Sequence, residues 1–138
     1  MFTKFNPFSL LLFTVIFATA SLLPATAQAA RVEPVQNVEN APVPAGLDLT
    51  AVRNAIIDGC SVRSWVAQEV EDGMLQCTVQ VRSHTAVVDI SYSTENYSIT
   101  YAHSVNLKYE DGEIHRNYNS WVQNLNGDIQ NALLKASR

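Results

Sequence analysis

Leu49, Val52, Ile56 and Cys60 recur at spacings of three and four, which places them on one stripe of a helix, while Arg53 and Asp58 point elsewhere. Asp48 or Thr50 can cap its start, and the pattern lapses between Ser61 and Ser64. Alternation then takes over. SWVAQEV, the acidic turn EDG and MLQCTVQVR read as two strands of a hairpin, with Gly73 supplying the left-handed backbone angle. In the second strand Leu75, Cys77, Val79 and Val81 face one way and Gln76, Thr78, Gln80 and Arg82 the other. AVVDISY sets Ala86, Val88, Ile90 and Tyr92 against Val87, Asp89 and Ser91. After the polar turn STEN, YSITY groups Tyr97, Ile99 and Tyr101 against Ser98 and Thr100.

Cross-strand partners share a face, so this pattern predicts a register. Tyr92 pairs with Tyr97 across STEN, which sets Ile90 beside Ile99, Val88 beside Tyr101 and Ala86 beside His103; Val81 beside Val88 keeps the apolar rows aligned on the other side. A second helical stripe follows: Tyr118, Val122, Leu125, Ile129 and Leu133, flanked by Trp121 and Ala132, predict one helix over about Arg116 to Ala136, weakened by Gly127. Both stripes need an apolar surface, and the meander offers one. The expected fold class is α+β, a two-layer sandwich in which an N-terminal and a C-terminal helix cover one face of a four-stranded antiparallel meander, α-β-β-β-β-α. The stretch YEDGEIHRNYNSWV is then the corner where sheet hands over to helix, with Asn117 or Asn119 available as cap.

Residues 1–29 carry the pattern of an export signal: Lys4 near the start, a mostly apolar run from Phe8 to Leu23, Pro24, and the small-residue zone ATAQAA with a cut expected after Ala29. The run is shorter than the roughly 20 residues of a spanning helix, and no second long apolar segment follows. Residues 30–46 contain Pro34, Pro42 and Pro44 and no sustained period, and read as a flexible tail, which leaves 47–138 as the single α+β domain. Removing the signal removes Lys4 alone among the charges, leaving eight basic and thirteen acidic residues and a net charge of −5. That balance argues against nucleic acid and against anionic lipid as partners.

Cys60 and Cys77 are the only cysteines and both fall on inward positions. In an oxidising compartment the pair reads as a structural disulfide between the first helix and the sheet, against two separate buried thiols or a reactive thiol; the spacing is unlike C-x-x-C. The three histidines, His84, His103 and His115, map to one end of the meander near Glu110, Asp111 and Glu113, where they either bind zinc or copper or serve as ordinary exposed and capping residues. Local metal-motif spacing is missing. No nucleophile elbow, paired-carboxylate signature or glycine-rich phosphate loop is written in the chain, so the sequence names no catalytic residue. Two surfaces remain for binding: the polar sheet face of Gln76, Thr78, Gln80, Arg82, Asp89, Ser91, Ser98 and Thr100, and the sheet edges, which can accept a peptide strand. Tyr92, Tyr97, Tyr101, Tyr118 and Trp121 either line a pocket or fill the core.

The segments WVAQEVEDG, VRSHTAVVDISY and YSITYAHSVNLKYEDGEIHRNYNSWVQNL resemble a family of small exported bacterial proteins of unknown function, many of them lipoproteins. The resemblance implies bacterial origin and a place in the cell envelope, periplasmic or secreted, and carries over no catalytic residue. This chain departs from the lipidated members in having no cysteine at the expected cleavage point. The function expected is that of a non-enzymatic binding or accessory module whose partner is an envelope protein, a peptide or a small ligand; the alternative is a metal-binding protein.

Overall fold

The computed structural model describes residues 31–138, so the expected export signal and its cleavage point lie outside the described residues. The chain runs β1 (Val32–Pro34), β2 (Val38–Pro42), α1 (Leu49–Ser61), β3 (Val66–Glu71), β4 (Met74–Val81), β5 (His84–Tyr92), β6 (Asn96–Val105), β7 (Glu113–His115) and α2 (Arg116–Ala136). The α+β class and both helices agree with the pattern. The strand count does not. The meander β3-β4-β5-β6 is extended by β2 into a five-stranded sheet of order β2-β6-β5-β4-β3, and β1 pairs with β7 in a separate two-stranded sheet.

Both added strands come from the segment read as a flexible tail. Its prolines misled because Pro34 and Pro42 lie on edge strands, where the neighbouring Val35 and Val43 N–H groups make the inward bonds and a proline at the outward-facing position costs no ladder bond. What fixes the segment is non-local. Val38 pairs with Ile99 and Ala41 with Tyr97, while Val32, Glu33 and Pro34 pair with His115, Ile114 and Glu113. Asn119, 4% exposed on α2, accepts a hydrogen bond from the Gln36 N–H at 3.0 Å and donates to the Pro34 carbonyl at 3.0 Å. A buried amide with these groups satisfied ties the link between β1 and β2 onto the helix.

The predicted register holds where Tyr92 meets Tyr97, Ile90 meets Ile99 and Val88 meets Tyr101. Beyond that a β-bulge interrupts it: Val87 pairs with His103 and Ala86 with Ser104, so Ala86 beside His103 is corrected by one residue. Ala102 is the extra residue, and because strand side chains alternate with period two, one insertion inverts the face of everything after it. On the other flank Val81 pairs with His84, not Val88, because the chain reverses in only Arg82 and Ser83, with Arg82 at φ 57°. Both of those registers put the same residues on the same faces, so the hydrophobic pattern alone could not choose between them.

One face of the sheet is dry. Leu75, Cys77, Val79, Ala86, Val88, Ile90, Tyr97 and Ile99 are buried there under Val52, Ile56 and Cys60 of α1 and Val122, Leu125, Ile129 and Leu133 of α2. Asp48 caps α1 through its Oδ1, which accepts from the Ala51 N–H at 2.8 Å. Ser64, at φ 65°, turns the chain out of the helix, and the Trp65 N–H closes on the Cys60 carbonyl at 3.0 Å. The two helices touch at Gly59, where a Cβ would stand 2.6 Å from the Cα of Ile129 and 2.8 Å from its N. Gly127, by contrast, has open space around its missing side chain.

These two glycines predict opposite outcomes. Gly59→Ala drives a methyl into backbone that cannot yield and is expected to destabilise by at least about 1–3 kcal/mol, whereas Gly127→Ala, mid-helix and exposed, is expected to stabilise by up to about 1 kcal/mol. Thermal or urea melts of the two variants check both signs.

Candidate functional site

The sequence-derived candidates fall at three places. The first is the corner between β6 and α2. Asn106, Lys108 and Asp111 all adopt positive φ (59°, 55° and 49°), followed by Gly112 at 78°. Asparagine and aspartate tolerate this region; for a residue such as lysine it costs on the order of 1 kcal/mol. The corner is held by its bonds. The His115 N–H donates to the Leu107 carbonyl at 2.8 Å, and Glu110 and Glu113 exchange backbone bonds at 3.0 and 2.9 Å. His84 Nδ1 lies 2.6 Å from the Asn106 carbonyl; a carbonyl only accepts, so Nδ1 carries the proton. Tyr109, 47% exposed, stacks on Tyr101 at 4.2 Å between ring centroids, and Tyr101 meets Tyr118 edge-on at 5.6 Å.

The expected cap is corrected here. His115, and not Asn117 or Asn119, caps α2: its Nδ1 accepts from the Asn117 N–H at 3.2 Å, while Asn119 is turned to the β1–β2 link. Burial, and then the charges of Lys108, Arg116, His84 and Arg31, hold the His115 imidazole below its ordinary pKa. The positive end of the helix dipole acts in the same direction.

The three histidines do not converge. His84 lies on the helix-covered side, its ring 6.5 Å from that of Trp121 on α2. The bulge carries His103 to the opposite, open side, where it pairs with Val87. Zinc needs donors at about 2.0–2.3 Å around one ion, and among the described residues no group of three His, Cys, Asp or Glu side chains is arranged to hold a metal ion. Of the two readings of the aromatic group, core is the one the structure bears out: Tyr92, Tyr97 and Tyr118 are buried, and Tyr101 and Trp121 pack against them partly exposed. The Tyr97 hydroxyl donates to Asn126 Oδ1 at 2.5 Å and accepts from Gln130 Nε2 at 3.0 Å, which spends its polar group inside the fold. Burial raises the pKa of both Tyr97 and Tyr118.

Cys60 and Cys77 are brought together, as expected, but as two thiols: their Sγ atoms lie 3.1 Å apart, both side chains are fully buried, and no disulfide joins them. The hydrogen bond to Cys77, and then burial, push the Cys60 thiol far above the ordinary cysteine range.

The third place is β3, an edge of the five-stranded sheet. Along it Ala67 takes the inward position and packs on the core, which leaves Val66 and Val70 outside, 70% and 49% exposed. Val66 heads a row across the open face, pairing with Thr78, which pairs with Val87 and then His103. In the next row Gln68, Gln76, Asp89 and Thr100 stand side by side, and Gln76 Nε2 donates to Asp89 Oδ1 at 3.1 Å. Glu69, Glu71 and Asp72 give the edge negative charge; Arg53 of α1 answers Glu69 at 2.7 Å, and Glu71 and Asp72 are exposed. β3 carries a bulge of its own, at Val70 between Glu69 and Glu71; the other edge, β2, has a bulge at Asn40, φ 50°, and is blunted further by Pro42. Sequence alternation located β3 but not the outward placement of its valines, which depends on where the sheet ends. Comparison of the chain with protein-family models, with curated proteins and with solved structures finds no match.

The capping role of His115 predicts a pH dependence. The folded protein binds the His115 proton less readily than the unfolded chain does, so stability falls as pH drops through the ordinary histidine range near about 6.5, and the loss is complete below the depressed folded value. His115→Asn, which caps without titrating, is expected to keep the stability seen at pH 8 and to flatten its decline between about pH 7 and 5; denaturant melts across that range measure it.

Proposed function

We propose that the chain is a binding module of the bacterial cell envelope, and that its partner is an extended, basic peptide strand that adds to β3. The observation that carries this reading is the exposed edge itself: a strand of residues 66–71 whose outer flank lies at the end of the sheet and whose Val66 and Val70 stand largely in solvent. An added strand gains main-chain hydrogen bonds whatever its sequence, and alternate side chains supply selectivity. Apolar side chains on the open-face side of the incoming strand would cover Val66 and Val70, while a lysine or arginine on the other side would answer Glu69, and one at the turn end of the strand would answer Glu71 and Asp72. The open sheet face beside the edge is polar enough to remain solvated, with Gln68, Gln76, Asp89 and Thr100 across its middle. Envelope location is supported by the leader pattern of residues 1–29 and by the family resemblance.

The test uses a fluorescent peptide alternating valine with lysine, and its valine–glutamate counterpart, in an anisotropy titration. The lysine peptide is expected to bind at least tenfold tighter, and Val66→Lys with Val70→Lys to weaken it at least tenfold while the melting temperature holds, since both positions are exposed. Equal binding of the two peptides, or an unaffected double variant, overturns the reading. Concentration-dependent dimerisation that the double variant abolishes would assign the edge to a second copy of this chain instead.

A further inference from the structure

We propose that Cys60 and Cys77 are the site of a disulfide, formed by exchange with an external disulfide while the chain folds and then sealed inside the core. The sulfurs stand 3.1 Å apart, so bonding asks them to close by only about 1 Å. Cys60 is aimed at the sheet from both sides: Gly59 before it is pressed on Ile129, and its own carbonyl is held by the Trp65 N–H at 3.0 Å. Cys77 stands in the middle of β4 between Ala67 of β3 and Val88 of β5. These strand partners are apolar, and none lowers a thiol pKa as a reactive cysteine requires.

The segment this bond would close spans 17 positions and contains the whole of β3 with the turn at Gly73. The crosslink would therefore brace the edge strand from both ends, a consequence that does not depend on what, if anything, the edge binds.

The chemistry balances as a thiol–disulfide exchange. One chain thiolate attacks a sulfur of the external disulfide, breaks its S–S bond and releases one external thiolate, leaving a mixed disulfide. The second chain thiolate attacks the chain sulfur of that mixed disulfide and releases the other external thiolate. Two chain thiols thus lose two protons and two electrons, and the external disulfide is reduced to two thiols. In the finished fold neither sulfur is exposed, so attack belongs to the stage before α1 closes on β4.

The full chain, unfolded and reduced, is refolded with glutathione disulfide or with dithiothreitol, then alkylated in denaturant and weighed. The oxidised preparation is expected to carry no alkyl groups and to weigh about 2 Da less than the unalkylated reduced chain, and before alkylation to melt roughly 10 °C or more above the reduced preparation. Cys60→Ala with Cys77→Ala is expected to melt at one temperature in either buffer. Glutathione disulfide added to the already folded, reduced protein is expected to act at least tenfold more slowly than during refolding. Two alkyl groups after oxidative refolding, crosslinking between chains, or a bridged form that melts no higher overturns the site; equal rates on the folded and refolding chains overturn the sealing.

Discussion

Two helices can share one face of a five-stranded sheet only if they lie close together, and here that closeness hangs on a single missing side chain. Gly59 lets the backbone of α1 approach Ile129 of α2 to a distance no Cβ would permit. With the helices seated side by side, Val52, Ile56 and Cys60 from one and Val122, Leu125, Ile129 and Leu133 from the other cover the same apolar rows of the sheet. The packing is dense where it matters, and the sulfur of Cys60 meets that of Cys77 as a direct result. Close packing of this kind is sensitive to added volume and tolerates little error.

The N-terminal segment acts as a strap across this arrangement. It contributes β1 and β2 to two different sheets and crosses between them past Asn119. The same short stretch therefore links β7, which opens α2, to β6, which closes the meander. Its strands are too short to be stable alone, and their order comes from partners far away in the sequence. The strap also decides which edge of the sheet is left free: by occupying the flank of β6 it leaves β3 as the edge without a proline.

Backbone irregularities rather than side-chain types distribute the polar groups. A bulge at Ala102 sends His103 to the open face while His84 stays under α2, and left-handed residues at Asn106, Lys108 and Asp111 fold the following loop so that His115 reaches the start of α2. Histidines that look alike on paper thus end in a packed contact, on a solvated face and in a helix cap. The aromatic residues follow a similar division, with Tyr97 and Tyr118 inside and Tyr109 left stacked on the outside of Tyr101.

Both helices, the four-strand meander and the dry face were legible in the chain, because each depends on a local period: three to four residues for the stripes from Val52 and Tyr118, two for the strands from Leu75 to Tyr101. The inward placement of Cys60 and Cys77 followed from the same periods. What those periods could not carry was anything set by partners distant in sequence. The strap strands needed β6, β7 and Asn119; the exposure of Val66 and Val70 needed the sheet to end at β3; the fate of His103 needed one extra residue in β6 that leaves no mark in composition. Periodicity encodes which side of an element is dry, whereas pairing flanks, bulges and edges are settled only when separate elements compete for the same hydrogen-bonding surface, and that competition exists only in the folded chain.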